Sequence, residues 1–251
     1  MSLQEASSPP ESWRYGELWD LLDEGRNPLH KTHRRGDPLP SGAFHVVSEI
    51  WTVDAQNRLL LTLRAPDKEF YPNLWETTAG SILAGEDSRA GAVRELFEET
   101  GLVADPNALH LIGVSKAPGV FVDIYVHRLK VDGVTLQRGE TAAFRFVSLS
   151  ELDEMLAKGL LAPHIVRHLQ TVRQGLAFFL NPVVPSGLYR HYKGNVYEVL
   201  GMARHSETLE PLVVYRAAGG SREMWARPAA MWFDLVPKGA CALPRFAQID
   251  P

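Results

Sequence analysis

The chain has 251 residues, is 45% hydrophobic, and sets 26 lysines and arginines against 30 acidic residues for a formal charge of −4. That length buries a proper core in one large domain or two smaller ones, and the near balance of charge excludes bulk binding to nucleic acid or an anionic membrane. The only cysteine, Cys241, excludes an internal disulfide, no apolar run approaches the ~20 residues of a membrane span, and residues 1–12 lack a signal peptide's basic and apolar regions, so a cytoplasmic location is expected.

In chain order, residues 13–25 read as a short strand or helix. The basic run His30-Lys31-Thr32-His33-Arg34-Arg35 reads as a solvated loop. Residues 44–53 and 58–64 are rich in β-formers and flank Asp54-Ala55-Gln56-Asn57, which predicts a hairpin. A loop carrying Lys68, Phe70 and Tyr71 follows, and residues 75–81 return as a strand that delivers Gly80.

The next stretch carries the chemistry. Gly80 is followed at fixed spacing by Glu86 and by Arg94-Glu95-Leu96-Phe97-Glu98-Glu99-Thr100-Gly101-Leu102. Residues 88–100 predict one helix, capped by Asp87 or Ser88 and ended by Gly101. Ala90, Val93, Leu96 and Phe97 fall on one face, and Glu95, Glu98 and Glu99 on the other. Three carboxylates at i, i+3 and i+4 repel unless a cation or a proton intervenes. Oxygen-only ligands on a helix suit a hard divalent ion, Mg²⁺ or Mn²⁺, of the kind that assists phosphate chemistry.

Beyond it, residues 109–116 and 120–129 predict two strands and residues 143–147 a further one, after a loop at 137–140 that carries Glu140. Residues 148–158 and 163–179 predict two amphipathic helices, the first capped by Ser148 or Ser150 and the second with Pro163 in its first turn. Asn181 to Gly187 reads as a linker. Five short strands are then expected at 188–192, 195–203, 211–217, 224–227 and 231–236, with a turn at 218–221, forming an SH3-like barrel or compact sheet. Its aromatics read as core and its net charge is too small for a polyanion partner. His191, His205 and Glu207 match no standard metal spacing, and Cys241 falls in a Pro-containing tail and reads as inert.

The stretch from Gly80 to Leu102 resembles the Nudix box of the Nudix hydrolase superfamily at every defining position. The resemblance implies an α/β/α sandwich with a mixed sheet over residues 13–180; separately, Tyr189-Arg190-His191-Tyr192-Lys193-Gly194, Val213-Val214-Tyr215-Arg216 and Trp225-Ala226-Arg227-Pro228 resemble a small β-rich bacterial domain of unknown function over 186–238. The Nudix resemblance implies that Glu98 and Glu99 ligate metal, that Glu95 is a further ligand or the general base, and that the Gly80 carbonyl completes the shell. By the same analogy Arg94 orients Glu95 and pairs with Glu86, while Glu140 is an extra ligand or base on a loop.

Arg35-Gly36-Asp37, Gly42-Ala43-Phe44-His45, and Arg64 followed by Lys68 are similar to the isopentenyl-diphosphate-isomerase-like subgroup, in which Arg64 and Lys68 would contact a diphosphate. The isomerases' cysteine is missing after Trp75, where Glu76-Thr77-Thr78-Ala79 stands. The expectation is therefore a Mg²⁺- or Mn²⁺-dependent hydrolase of a small-molecule diphosphate. A non-catalytic diphosphate sensor is the alternative, and a homodimer stays open.

Overall fold

The computed structural model describes residues 16–137, 139–220 and 223–249; among the positions read above, residues 1–15, 138 and 221 lie outside them. Strands β1 (Leu18–Leu22) and β2 (Pro28–Arg34) pair antiparallel, so the basic run is mostly strand rather than solvated loop. Its cations give no period-two signal, because of this strand only His33 is buried. The turn is closed locally, with the Asp23 carboxylate accepting from the Asn27 amide at 2.7 Å and Arg26 in the left-handed region.

Alternation in β3 (His45–Val53), β4 (Leu59–Arg64) and β8 (Val120–Arg128) sorts two cores onto the faces of one sheet. Trp51, Val53, Leu59, Leu61 and Ile124 face α2 (Leu149–Ala157) and α3 (Pro163–Leu180). Ile50, Leu60 and Tyr125 face α1 (Ser88–Thr100). The strand order is β5 (Trp75–Glu76), β4, β3, β8 and β7 (His110–Ala117), with β6 (Thr78–Ser81) beside β3 and β9 (Thr141–Val147) beside β4. Among the described strands only β3 and β8 pair parallel, so the sheet is mixed and, with its flanking helices, makes an α/β/α sandwich. The strand expected at 75–81 is broken at Thr77, since β5 pairs with β4 and β6 with β3.

Helix α1 starts at Asp87, whose carboxylate accepts from the Arg89 and Ala90 amides, and ends at Gly101 with φ 69°. Its buried stripe is Gly91, Ala92, Leu96 and Thr100. Phe97, expected on that face, is 56% exposed, because one residue beyond Leu96 turns ~100° away from the stripe. Helix α3 is tied to β3 through a buried polar triad. Trp51 Nε1 donates to Glu49 Oε1 at 2.8 Å, and His168 Nδ1 meets Glu49 Oε2 at 2.6 Å.

The second unit is a five-stranded antiparallel sheet in the order β13 (Met224–Pro228), β12 (Pro211–Ala217), β11 (Val196–Arg204), β10 (Gly187–His191) and β16 (Phe246–Gln248). Tyr189, Tyr215, Trp232 and Phe246 form its core, Trp232 stacking on Phe246 at 3.9 Å. Residues Ala229–Trp232 are a helical turn, α4, so of the strand expected at 231–236 only Leu235 and Val236 are extended, in β14 (Leu235–Lys238). Cys241 lies in β15 (Cys241–Pro244), which pairs with β14, rather than in a tail. Leu235 and Ala242 of this ribbon pack against the α1-side core, joining the two units.

Candidate active site

Helical geometry assigns the three glutamates of α1 different environments. Relative to buried Leu96, Glu99 lies ~60° away, Glu95 ~100° and Glu98 nearly opposite. Glu98 is accordingly exposed, while Glu95 and Glu99 are partly buried. Burial pushes the Glu95 carboxyl up to about 7, against the opposing pull of Arg94. Glu99 is pushed well above the usual carboxylate range, first by burial and then by the negative charges of Glu76, Glu95 and Glu140. Thr78 hydrogen-bonds Glu99 and offsets part of that shift.

Arg94 is the hub of the box. Its Nε and Nη2 donate to Glu86 at 3.1 and 3.0 Å, Nη2 to the Ser81 carbonyl at 2.9 Å, and Nη1 to Glu95 at 2.8 Å. Burial works against its charge, but the hydrogen bonds to Glu86 and Glu95 outweigh that, so its pKa is raised. Glu98 lies 3.5 Å from Nη1 on the solvent side. Glu86 also accepts from the Leu83 amide, which fixes the loop ahead of the helix. Glu95 lies closest to the Gly80 Cα face: a Cβ there would lie 1.9 Å from Glu95 Cδ, so only glycine leaves room for the carboxylate. Gly101 supplies the positive φ of the helix end and lies against Thr135.

Arg64 and Lys68 are both held by carboxylates. Arg64 Nη1 donates to both oxygens of Glu76, at 2.8 and 2.9 Å, and its Nε to the Phe70 carbonyl. Lys68 Nζ contacts Glu140 directly. Among the described residues no three Asp, Glu, His or Cys side chains stand close enough together to hold a metal. The carboxylates are held by cations instead: Arg94 lies between Glu95 and Glu98, while Lys68 and Arg64 hold Glu140 and Glu76.

Two residues joining this cluster were not singled out from the sequence. Glu76, on β5, is pushed up to about 7 by burial, opposed by Arg64 and reinforced by Glu140. His164, in the first turn of α3, places Nε2 3.4 Å from Glu76 and is pushed down to about 4, chiefly by burial. The signal for Glu76 was its place between Trp75 and two threonines on a short apolar strand, where a charge needs a partner. His164 had no local signal, since its partner is far away in sequence.

A mixed sheet between helices, with a carboxylate-bearing helix against a glycine strand, defines the class as an α/β/α sandwich. The family model described as NUDIX domain matches residues 43–169, and that described as protein of unknown function (DUF1653) matches 187–248. The chain belongs to the Nudix family and is a Nudix hydrolase, a pyrophosphohydrolase.

An uncharacterized Nudix hydrolase of Listeria monocytogenes is 35% identical over 151 residues, spanning 59% of this chain and 89% of that protein. The isopentenyl-diphosphate Delta-isomerase of Streptomyces coelicolor is 30% identical over 150 residues, 56% of this chain and 76% of that protein. The crystal structure of DR0079 from Deinococcus radiodurans shares the fold at TM-score 0.53 and 19% identity, covering 62% of this chain and 99% of that one.

Proposed function

We propose that this chain is a divalent-metal-dependent hydrolase that cleaves the diphosphate linkage of a nucleoside diphosphate joined to another moiety. The observation that carries the reading is the convergence of Glu76, Glu95, Glu99 and Glu140 beside Arg64 and Lys68. Anion-binding and cation-binding groups therefore share one site.

The donor set fits a hard divalent cation. It is oxygen-only, and the carboxylates raise one another's pKa, a repulsion that Mg²⁺ or Mn²⁺ would relieve. Glu98 and Glu99, with the Gly80 carbonyl, would hold it, leaving Glu95 as the base. When bound, such an ion supplies Lewis-acid polarisation of the phosphoryl group and lowers the pKa of water.

Arg64 and Lys68 bind the substrate diphosphate by exchanging Glu76 and Glu140 for phosphate oxygens, a charge-assisted swap that conserves ion pairing. Glu95, beside that site and oriented from one side, takes a proton from the attacking water. Arg94, itself fixed by Glu86 and the Ser81 carbonyl, orients Glu95. Glu140, once released by Lys68, stands as a second base or ligand from its loop. Isomerase chemistry is not part of the proposal, because Thr77 and Thr78 occupy the stretch where the protonating cysteine is expected and Cys241 is in β15.

The test is phosphate and nucleotide release with Mg²⁺ or Mn²⁺ across nucleotide sugars, ADP-ribose, dinucleoside polyphosphates, NADH, coenzyme A, (d)NTPs and isopentenyl diphosphate. Turnover of one compound that disappears in Glu98→Gln supports the reading. Binding without turnover in the wild type replaces it with a diphosphate sensor.

A further inference from the structure

A cavity of about 560 Å³ lies between the two units, bounded by β7, α3, the linker and residues 230–244 of the C-terminal unit. It is remote from the carboxylate cluster, since β7 is one edge of the sheet and β5, which carries Glu76, is the other. Its size falls within the ~300–1,000 Å³ of small-molecule sites, and domain interfaces are where such sites concentrate.

The lining decides what fits. Aromatic rings come from both units: Phe178 and Phe233 approach to 3.7 Å between centroids, and His110 and Phe179 to 5.6 Å. No lysine or arginine lines the cavity. Among the described lining residues the one carboxylate is the buried Asp234, whose Oδ1 lies 3.2 Å from His110 Nδ1 and whose Oδ2 lies 3.6 Å from Arg245 Nη2. The nearby cations are already engaged, Arg245 by Asp234 at 3.6 Å and Arg128 by the Asp54 carbonyl and the Phe179 ring, so the lining offers no free cation to hold a phosphate and the site disfavours phosphorylated molecules. At the lip, Gln174 and Thr171 are exposed, and neither side chain hydrogen-bonds another described residue. An amide and a hydroxyl beside an aromatic wall present both donor and acceptor to the polar edge of a ring laid against that wall.

We propose that this interdomain cavity is a binding site for an uncharged heteroaromatic molecule of one or two rings, its faces against Phe178, Phe233 and Phe179 and its polar edge at Gln174 and Thr171. The site is independent of the hydrolase reading and uses none of the box residues. A bound ring contacts both units at once and stabilises their docking.

The experiment uses the full chain with indole, adenine and AMP as probes, followed by thermal shift and by crystal soaking. Indole and adenine should raise Tm in a dose-dependent way and show density in the cavity, whereas AMP, sharing the adenine ring, should be excluded from it. Ala242→Trp, which fills the lining, should abolish the cavity density of both rings while diphosphate hydrolysis persists. Gln174→Leu, on the exposed face of α3, should weaken adenine by roughly 5- to 10-fold, the worth of one hydrogen bond, and leave indole unchanged. Three results overturn the proposal: an empty cavity at millimolar indole and adenine, cavity binding that survives Ala242→Trp, or AMP occupying the cavity as readily as adenine.

Discussion

Gly80→Ala isolates the geometry of the catalytic carboxylate. The added Cβ would stand 1.9 Å from Glu95 Cδ and 2.2 and 2.3 Å from its oxygens. Ordinary carbon contacts begin near ~3.5 Å, so the carboxylate must retreat by roughly 1.5 Å or β6 must shift as far. A misplacement of about 1 Å costs on the order of 100-fold in rate, and loss of a general base costs about 10² to 10⁴. The expected result is a fall in kcat of at least about 100-fold with KM little changed, because Arg64 and Lys68 are untouched.

Gly133→Ala, where an added Cβ meets nothing within 4 Å, is the control and should match wild type. The assay is steady-state phosphate release on whichever diphosphate the wild type turns over. The double variant Gly80→Ala/Glu95→Ala should be no slower than Glu95→Ala alone, since both act on one group. Gly80→Ala at wild-type kcat, or full additivity in the double variant, would refute the placement of Glu95 as the base.

Glu76→Gln tests the buried cluster through pH. The folded-state pKa of Glu76 is raised from 4.5 to about 7, so the folded protein binds the extra proton and loses stability as pH rises across that window. His164, lowered to about 4, acts in the opposite direction, favouring the folded state as pH rises from 4 to 6.5. With chelator present, the stability of Glu76→Gln relative to wild type should therefore increase from pH 4 to pH 7.5 by up to about 3 kcal/mol, read by urea unfolding; a pH-independent difference refutes it. Lys68→Ala should raise KM for the diphosphate more than it lowers kcat, by roughly 10-fold, in steady-state kinetics. Trp232→Ala, removing a fully buried ring stacked on Phe246, should cost about 3–5 kcal/mol in the C-terminal unit, measured by denaturant titration.

The sequence by itself determined the box helix to the residue, because its caps are local. Asp87 satisfies the first amides and Gly101 takes the left-handed ending, both within one turn of the helix. It likewise determined α2, whose capping box needs only Ser148 and Glu151. The family, too, was legible from contiguous spacing.

Tertiary structure decided what depends on distant partners. The β1–β2 hairpin carries little hydrophobic pattern and is defined by pairing and by its turn. Phe97 was misplaced because a helical wheel knows the angle between residues but not which direction the sheet occupies. The same missing direction hid the inequality of Glu95, Glu98 and Glu99, which follows from where Leu96 is buried. Glu76 and His164 entered the site only when α3 was docked on the sheet, and Lys68 met Glu140 only when the loop ahead of β9 folded back across β4. Beside the C-terminal unit, β14 and β15 pack on the sandwich because Leu235 and Ala242 complete a core that α1 leaves open, and the cavity is formed at that docking. Short-range hydrogen bonds and caps are written in consecutive residues; burial and charge coupling across ~50 or more residues exist only after the chain has closed its loops.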